Sequence, residues 1–247
     1  MRKVKRIYRF RDSNEVEVGW MGERPPGEKR QPRRKRTPEE VQKQNQRNRV
    51  NALRRKIKAN FAENDYWVTL TYRVESRKPV DGVKKDVGDF LKRLRRWYKK
   101  VGQPLKFIYR VEIGIRGAVH VHFLVNRIEG CDMKIKELWQ QGRPSFKFTY
   151  EEGGFQRLAE YIAKEPEADG VEIRYSASRN LIIPQPEVRE YQKLNVDDPK
   201  PLKGYYIDPE SVVRGTNPFS GKDYLHYIEY RIRKEDKPAG RGHPRSG

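Results

Sequence analysis

Apolar and polar positions alternate along this chain with two periods, and the change from one to the other marks the elements. Tyr66 to Tyr72 alternates with period two, placing Trp67, Thr69 and Thr71 on one face of a strand and Tyr66, Val68, Leu70 and Tyr72 on the other. Val83 to Lys100 changes to helical spacing: Val83, Val87, Phe90, Leu91, Leu94, Trp97 and Tyr98 form an apolar stripe, with Lys92, Arg93, Arg95, Arg96, Lys99 and Lys100 around it. The run RVEIGIRGAVHVHFLVN, Arg110 to Asn126, predicts two strands joined by a short loop around Gly117. A short helix around Lys134 to Gln140, a helix over Gly154 to Glu165 and a strand near Val171 to Tyr175 complete a β-α-β-β-α-β order with one added helix. The expected class is α+β.

The flanks read differently. The first 20 residues alternate like a short strand and give way to ERPPGEKRQPRRKR, a Pro- and Arg-rich segment expected to be solvated. Thr37-Pro38-Glu39-Glu40 is a helix start: a capping threonine, proline in the first turn and carboxylates at the positive end of the dipole. That helix should run to about Ala62, with Val50, Leu53 and Ile57 as a thin apolar side among Arg54, Arg55, Lys56 and Lys58. It reads either as a DNA-facing arm or as a charged, solvated helix. Beyond Pro184, Asn217 to Gly221 predicts a turn, Asp223 to Arg233 an edge strand rich in Tyr and Arg, and the tail from Lys234 disorder. The expected divisions are a basic extension over 1–62, a catalytic domain over 63–184, a C-terminal extension over 185–233 and a tail over 234–247.

The hairpin carries candidate chemistry. Period two sends His120 and His122 to one face. If the loop is the three residues Ile115-Arg116-Gly117, with Gly117 in a left-handed conformation, Glu112 lies opposite His120. An even-length loop would turn Glu112 to the other face. In the odd register, one carboxylate and two imidazoles can share an ion, and that mixed set suits Mg²⁺ or Mn²⁺. The single cysteine, Cys131, excludes a cysteine-rich zinc site.

In the Gly154–Glu165 helix, Phe155, Leu158, Ala159 and Ile162 form the core stripe. Tyr161 falls roughly 110° from the stripe's centre and Lys164 about 170°, while Arg157 and Lys164, at i−4 and i+3, neighbour the phenol. Cations and a bound metal ion would favour a phenolate, as phosphoryl transfer onto tyrosine requires.

Charge narrows the partner class. The chain has 247 residues, a net charge of +21 and a pI near 10.0, which points to a polyanion. There is no run of about 18 apolar residues to span a membrane and no secretory leader. One cysteine fits a reducing cytoplasm.

The order of Trp67-Val68-Thr69-Leu70-Thr71-Tyr72, then His120-Val121-His122, then Tyr161-Ile162-Ala163-Lys164 resembles the HUH endonucleases, specifically the single-tyrosine initiators of rolling-circle replication. The run Tyr175-Ser176-Ala177-Ser178-Arg179-Asn180-Leu181 resembles a stretch that follows the catalytic helix in such proteins. The resemblance covers Tyr66 to Pro184. It implies a ferredoxin-like or RRM-like antiparallel sheet. His120 and His122 would be metal ligands, with Glu112 as the third and Glu165 its rival; Tyr161 would be the nucleophile and Lys164 its electrostatic helper. The reaction implied is metal-dependent nicking and rejoining of single-stranded or hairpin origin DNA through a 5′-phosphotyrosine link. Expected DNA contacts are Arg157, Thr69, Thr71, Arg93, Arg96, Arg54, Arg55 and Arg179. Gly215 to Lys222 lacks the spacing and the Ser or Thr of a phosphate-binding loop, so unwinding and extension would fall to a host helicase and polymerase. The other readings are a single-tyrosine HUH transposase and a non-catalytic RRM-like nucleic-acid binder.

Overall fold

A computed structural model describes residues 2–22, 36–114, 118–150, 152–164, 175–191, 198–217 and 221–232. In chain order the strands and helices are β1 (Arg2–Arg9), β2 (Ser13–Met21), α1 (Pro38–Asn60), β3 (Tyr66–Thr71), α2 (Val80–Lys100), β4 (Phe107–Ile113), β5 (Val119–Val125), α3 (Cys131–Leu138), β6 (Pro144–Phe148), α4 (Gln156–Ala163), β7 (Ser176–Ala177), β8 (Glu187–Tyr191), β9 (Tyr205–Ile207), β10 (Val213–Asn217) and β11 (Lys222–Arg231). The chain forms two compact units, Gln42–Ile183 and the pair of flanks Met1–Val41 with Pro184–Gly247.

In the unit Gln42–Ile183, the strands lie in the order β6-β3-β5-β4-β7, with every pairing antiparallel. Read along the chain, β3-α2-β4-β5-α3-β6 is a β-α-β-β-α-β unit whose strands are ordered fourth, first, third, second, the ferredoxin-like arrangement. Two assignments differ from the sequence reading. The fourth strand is Pro144–Phe148, whose SFKF alternation is masked in the sequence because Pro144 and Gly142 read as loop residues. The expected strand near Val171 lies largely outside the described residues, and the strand seen after the tyrosine helix is the two-residue β7 at Ser176–Ala177, paired with Ile108 and Tyr109. Consequently α3 is the second helix of the repeat, and α4, which carries Tyr161, is the added one.

One core lies between α2, α3 and one face of the sheet, and includes Val68, Leu70, Val121, Phe123, Phe90, Leu94 and Ile135. A second core lies on the other face, where Ile108 and Leu124 meet Val50, Leu53 and Ile57 of α1 and Phe155, Ala159 and Ile162 of α4. Helix α1 is therefore a packing element. Its start is a reciprocal cap: the Thr37 hydroxyl accepts from the Glu40 N–H at 3.3 Å, and the Glu40 carboxylate accepts from the Thr37 N–H at 3.0 Å. Arg54 and Arg55, expected on a DNA-facing arm, are only 3% and 8% exposed, because their helix is pressed onto the sheet beside Leu53 and Ile57.

The two flanks were expected to be separate extensions. Their described parts instead share one sheet, in the order β10-β11-β2-β1-β8, with β9 also paired to β11. The β1–β2 hairpin takes β11 on one side and β8 on the other, so β11 is an interior strand and not the edge strand its alternation implied. Its Glu229 is fully buried, accepting from Asn14 Nδ2 and from the Leu202 N–H, both at 3.0 Å. The Pro- and Arg-rich segment at 23–35 and the tail beyond 232 lie outside the described residues.

Since Ile57 is fully buried under the sheet, Ile57→Ala should lower unfolding free energy by about 2–5 kcal/mol in urea titration. Val74→Ala, at a 72% exposed position, should change it by no more than about 0.5 kcal/mol.

Candidate functional site

The register of three central strands lays the face that α1 and α4 cover into rows. The innermost is Trp67–Leu124–Ile108, the next Thr69–His122–Arg110, and the outermost Thr71–His120–Glu112. The apolar first row belongs to the second core, and the polar rows emerge where that core ends. Glu112 stands opposite His120, Ile113 opposite Val119, and the Gly114 N–H bonds the Ala118 carbonyl at 2.8 Å. Residues 115–117 remain between them, so the loop has odd length; its own conformation, including Gly117, lies outside the described residues.

Within these rows, His122 Nε2 lies 2.8 Å from Glu112 Oε2, and the same oxygen accepts a hydrogen bond from the Tyr161 hydroxyl at 2.6 Å. The Thr69 hydroxyl meets the other imidazole nitrogen, His122 Nδ1, at 3.3 Å. A wall of rings fixes these groups. Trp67 stacks on His122 with centroids 5.6 Å apart and planes 9° apart, and Tyr161 meets His122 edge-on at 5.1 Å and 88°. Trp67 also meets Tyr161 edge-on at 5.9 Å, so all three rings pack together.

Tyr161 owes its place to the way α4 is held at both ends. The chain enters the helix through Gly154 and Phe155, both at positive φ (61° and 64°). The strain of the non-glycine residue is offset by burying its ring, 2% exposed, in the second core. At the other end, Arg110 Nη1 donates to the carbonyls of Tyr161 at 3.0 Å, Ile162 at 3.2 Å and Lys164 at 2.5 Å. These are carbonyls of a helix C-terminus, which have no partner within the helix and carry its negative dipole charge. Arg110 was missed in the sequence although the signal was present, since it lies two residues before Glu112 and therefore on the same face. Trp67 was assigned to that face but not to the site.

The electrostatics of the phenol differ from expectation. Cations were expected to favour its ionised form. Burial and the Glu112 carboxylate instead push the Tyr161 hydroxyl well above the usual phenol range, and Arg110 alone acts in the opposite sense. Arg157 and Lys164 are both exposed. The Glu112 carboxyl is held below its usual range, chiefly by the hydrogen bond from Tyr161, and then by His122 and Arg110. Burial draws the His122 imidazole below its usual range against the pull of Glu112, which favours the neutral ring.

As a metal site the donor set fits in chemistry and in part in position. A carboxylate and an imidazole meet directly, and His120 shares their face, but the two histidine rings are 6.3 Å apart and inclined by 77°. Among the described residues no group of three His, Cys, Asp or Glu side chains is gathered closely enough to hold an ion. Glu165, the rival third ligand, lies outside them.

The remaining expected DNA contacts are scattered. The Thr71 hydroxyl donates to the Arg143 carbonyl at 2.8 Å and accepts from the Arg143 N–H, so like that of Thr69 it is engaged within the protein. Arg93 donates to the Leu138 carbonyl at the end of α3, and Arg96 is exposed on α2, the helix covering the sheet face opposite His122. Arg179 lies in the turn after β7.

Residues 65–166 match a family model for a replication-associated protein, the ORF2 type. No curated protein and no solved structure gives a significant match. The matched segment runs from just before β3 to just past α4, and so contains Trp67, Thr69, Arg110, Glu112, both histidines and Tyr161.

Because the Glu112 charge disfavours the phenolate, Glu112→Gln should lower the Tyr161 titration midpoint. Following ¹³C-labelled tyrosine Cζ shifts against pH, with Tyr161→Phe to assign the resonance, checks the direction. Arg110→Met should increase hydrogen exchange across Gln156–Ala163 by tenfold or more while β3 and β5 stay protected, because roughly 1–3 kcal/mol is lost for each helix-end carbonyl left buried without a partner.

Proposed function

Residues 65–166 belong to a family of replication-associated proteins, and on that premise we propose that the chain initiates rolling-circle replication by nicking single-stranded origin DNA with Tyr161 as nucleophile. The observation that carries the proposal is the 2.6 Å hydrogen bond from the Tyr161 hydroxyl to Glu112, on a carboxylate that also meets His122. A tyrosine serving only as packing would have no reason to place its hydroxyl, with the residue 38% exposed, on the same oxygen as an imidazole.

In the proposed reaction the phenolic oxygen attacks the scissile phosphorus in line. The new bond joins Tyr161 to the 5′ phosphate, the bond to the 3′ oxygen breaks, and the phenol's proton leaves along the hydrogen bond to Glu112. The leaving 3′ oxygen takes up a proton and becomes the hydroxyl that a polymerase extends. One phosphodiester replaces another, so the same site can rejoin strands by the reverse path. The resting phenol is neutral, since burial and Glu112 both oppose its ionisation, and proton loss accompanies attack instead of preceding it.

Glu112, His120 and His122 are the residues that would hold Mg²⁺ or Mn²⁺, and the ion would supply polarisation of a phosphate oxygen. Thr69 holds the Nδ1 side of His122, which directs Nε2 toward Glu112. Arg110 keeps Tyr161 in register with the strand that carries the acid. Lys164 and Arg157 stand exposed on the tyrosine helix, where they would offset charge on the DNA backbone.

Mixing the full chain with labelled single-stranded origin DNA and Mn²⁺ should give an adduct that survives denaturing electrophoresis. Tyr161→Phe should abolish it, and His122→Ala or chelation by EDTA should reduce it by at least a hundredfold. An adduct of undiminished yield in Tyr161→Phe would remove the nucleophile assignment.

A further inference from the structure

Away from the tyrosine, the largest cavity of the unit Gln42–Ile183, about 910 Å³, opens between the C-terminal half of α2 and the edge strand β7. Arg95 and Lys99 of α2 form one wall and Arg179 part of the other, with Gln103 and Asn180 beside them and Leu105 and Phe107 as an apolar floor. Among the described residues no carboxylate lines it. The Arg95 guanidinium rests over the Phe107 ring, 5.9 Å from its centroid, which holds one cation at the floor.

We infer that this cavity binds the sugar–phosphate backbone of single-stranded DNA at a point remote from the scissile phosphate. Three features favour a strand over a small anion. Arg95 and Lys99 are one helical turn apart, about 6 Å along the axis, a spacing comparable to that of successive phosphates on one strand. The volume is at the upper end of the range for ligand sites and has room for more than one nucleotide. The floor is apolar, as sugars and base faces require, beneath a rim that is cationic. Phe107 begins β4 and Glu112 lies five residues further along it, so cavity and candidate site are roughly 17 Å apart on one strand. A strand reaching both would be anchored away from the reacting bond, and this second contact would give affinity without taking part in chemistry.

The inference rests on DNA as the substrate, taken from the proposed function, but not on the tyrosine chemistry. It is tested with the full chain in EDTA, where no cleavage occurs, by fluorescence anisotropy of labelled oligothymidylates across a salt series. Replacing Arg95, Lys99 and Arg179 together by Gln should weaken binding at least tenfold and make the slope of log K against log salt shallower by about 2, at roughly 0.7 per phosphate contact. Neutralising the exposed Lys85, Lys92 and Lys203 should change the slope by less than half as much. Tyr161→Phe should bind as the wild type does.

Wild-type binding with an unchanged slope in the triple variant would overturn the cavity assignment while leaving the nickase proposal intact. No binding by the wild type would overturn both. Competition by thymidine monophosphate as effective as that by the oligomer would make the cavity a site for a single phosphate, and a larger slope change with RNA than with DNA would overturn the choice of nucleic acid.

Discussion

The register between β4 and β5 is the constraint from which the candidate site follows. Pairing Glu112 with His120 and Arg110 with His122 puts an acid, two imidazoles and a guanidinium on one face in two adjacent rows. A slip of one residue would send Glu112 and Arg110 into the core beneath α2, where neither charge could be satisfied. The apolar residues that alternate with them, Val111, Val121 and Phe123, are buried on that opposite face, and their burial opposes the slip. Packing on one side of the sheet thereby sets the chemistry on the other.

Much of this was legible in the chain itself. The alternation of β3, the stripe of α2 and the inward face of α4 each place their residues on the side the spacing requires, because every one of these elements has a single apolar face to bury. What was not legible had specific causes. β6 is short and begins at a proline that read as a break, although its residues pair with β3 over Tyr66–Leu70. Helix α1 looked solvated because long cationic side chains surround Leu53 and Ile57, yet a helix needs only that narrow line to dock, and the aliphatic stems of Arg54 and Arg55 are buried with it. The pairing of β11 with β2 joins segments about 200 residues apart, and no local periodicity records which strand will lie beside which.

At the site, sequence spacing identified residues but not their electrostatics. The neighbours of Tyr161 on its own helix are cationic, whereas in the fold its hydroxyl turns away from them to the sheet and finds a carboxylate. Helical spacing describes only the surface of one element. The groups that act on the phenol, Glu112 and Arg110, come from another.

Arg110 has a consequence for precision. The guanidinium that caps α4 and the carboxylate that meets the tyrosine hydroxyl leave the same strand two residues apart, so nucleophile and acid share one anchor. If α4 loosens at its entry, where Phe155 is held in a strained conformation, the motion pivots about its far end and is small where the phenol stands. A displacement of about 1 Å between reacting groups can cost two orders of magnitude in rate. Mooring the helix beside its reactive residue therefore confines breathing of the fold to the end that performs no chemistry.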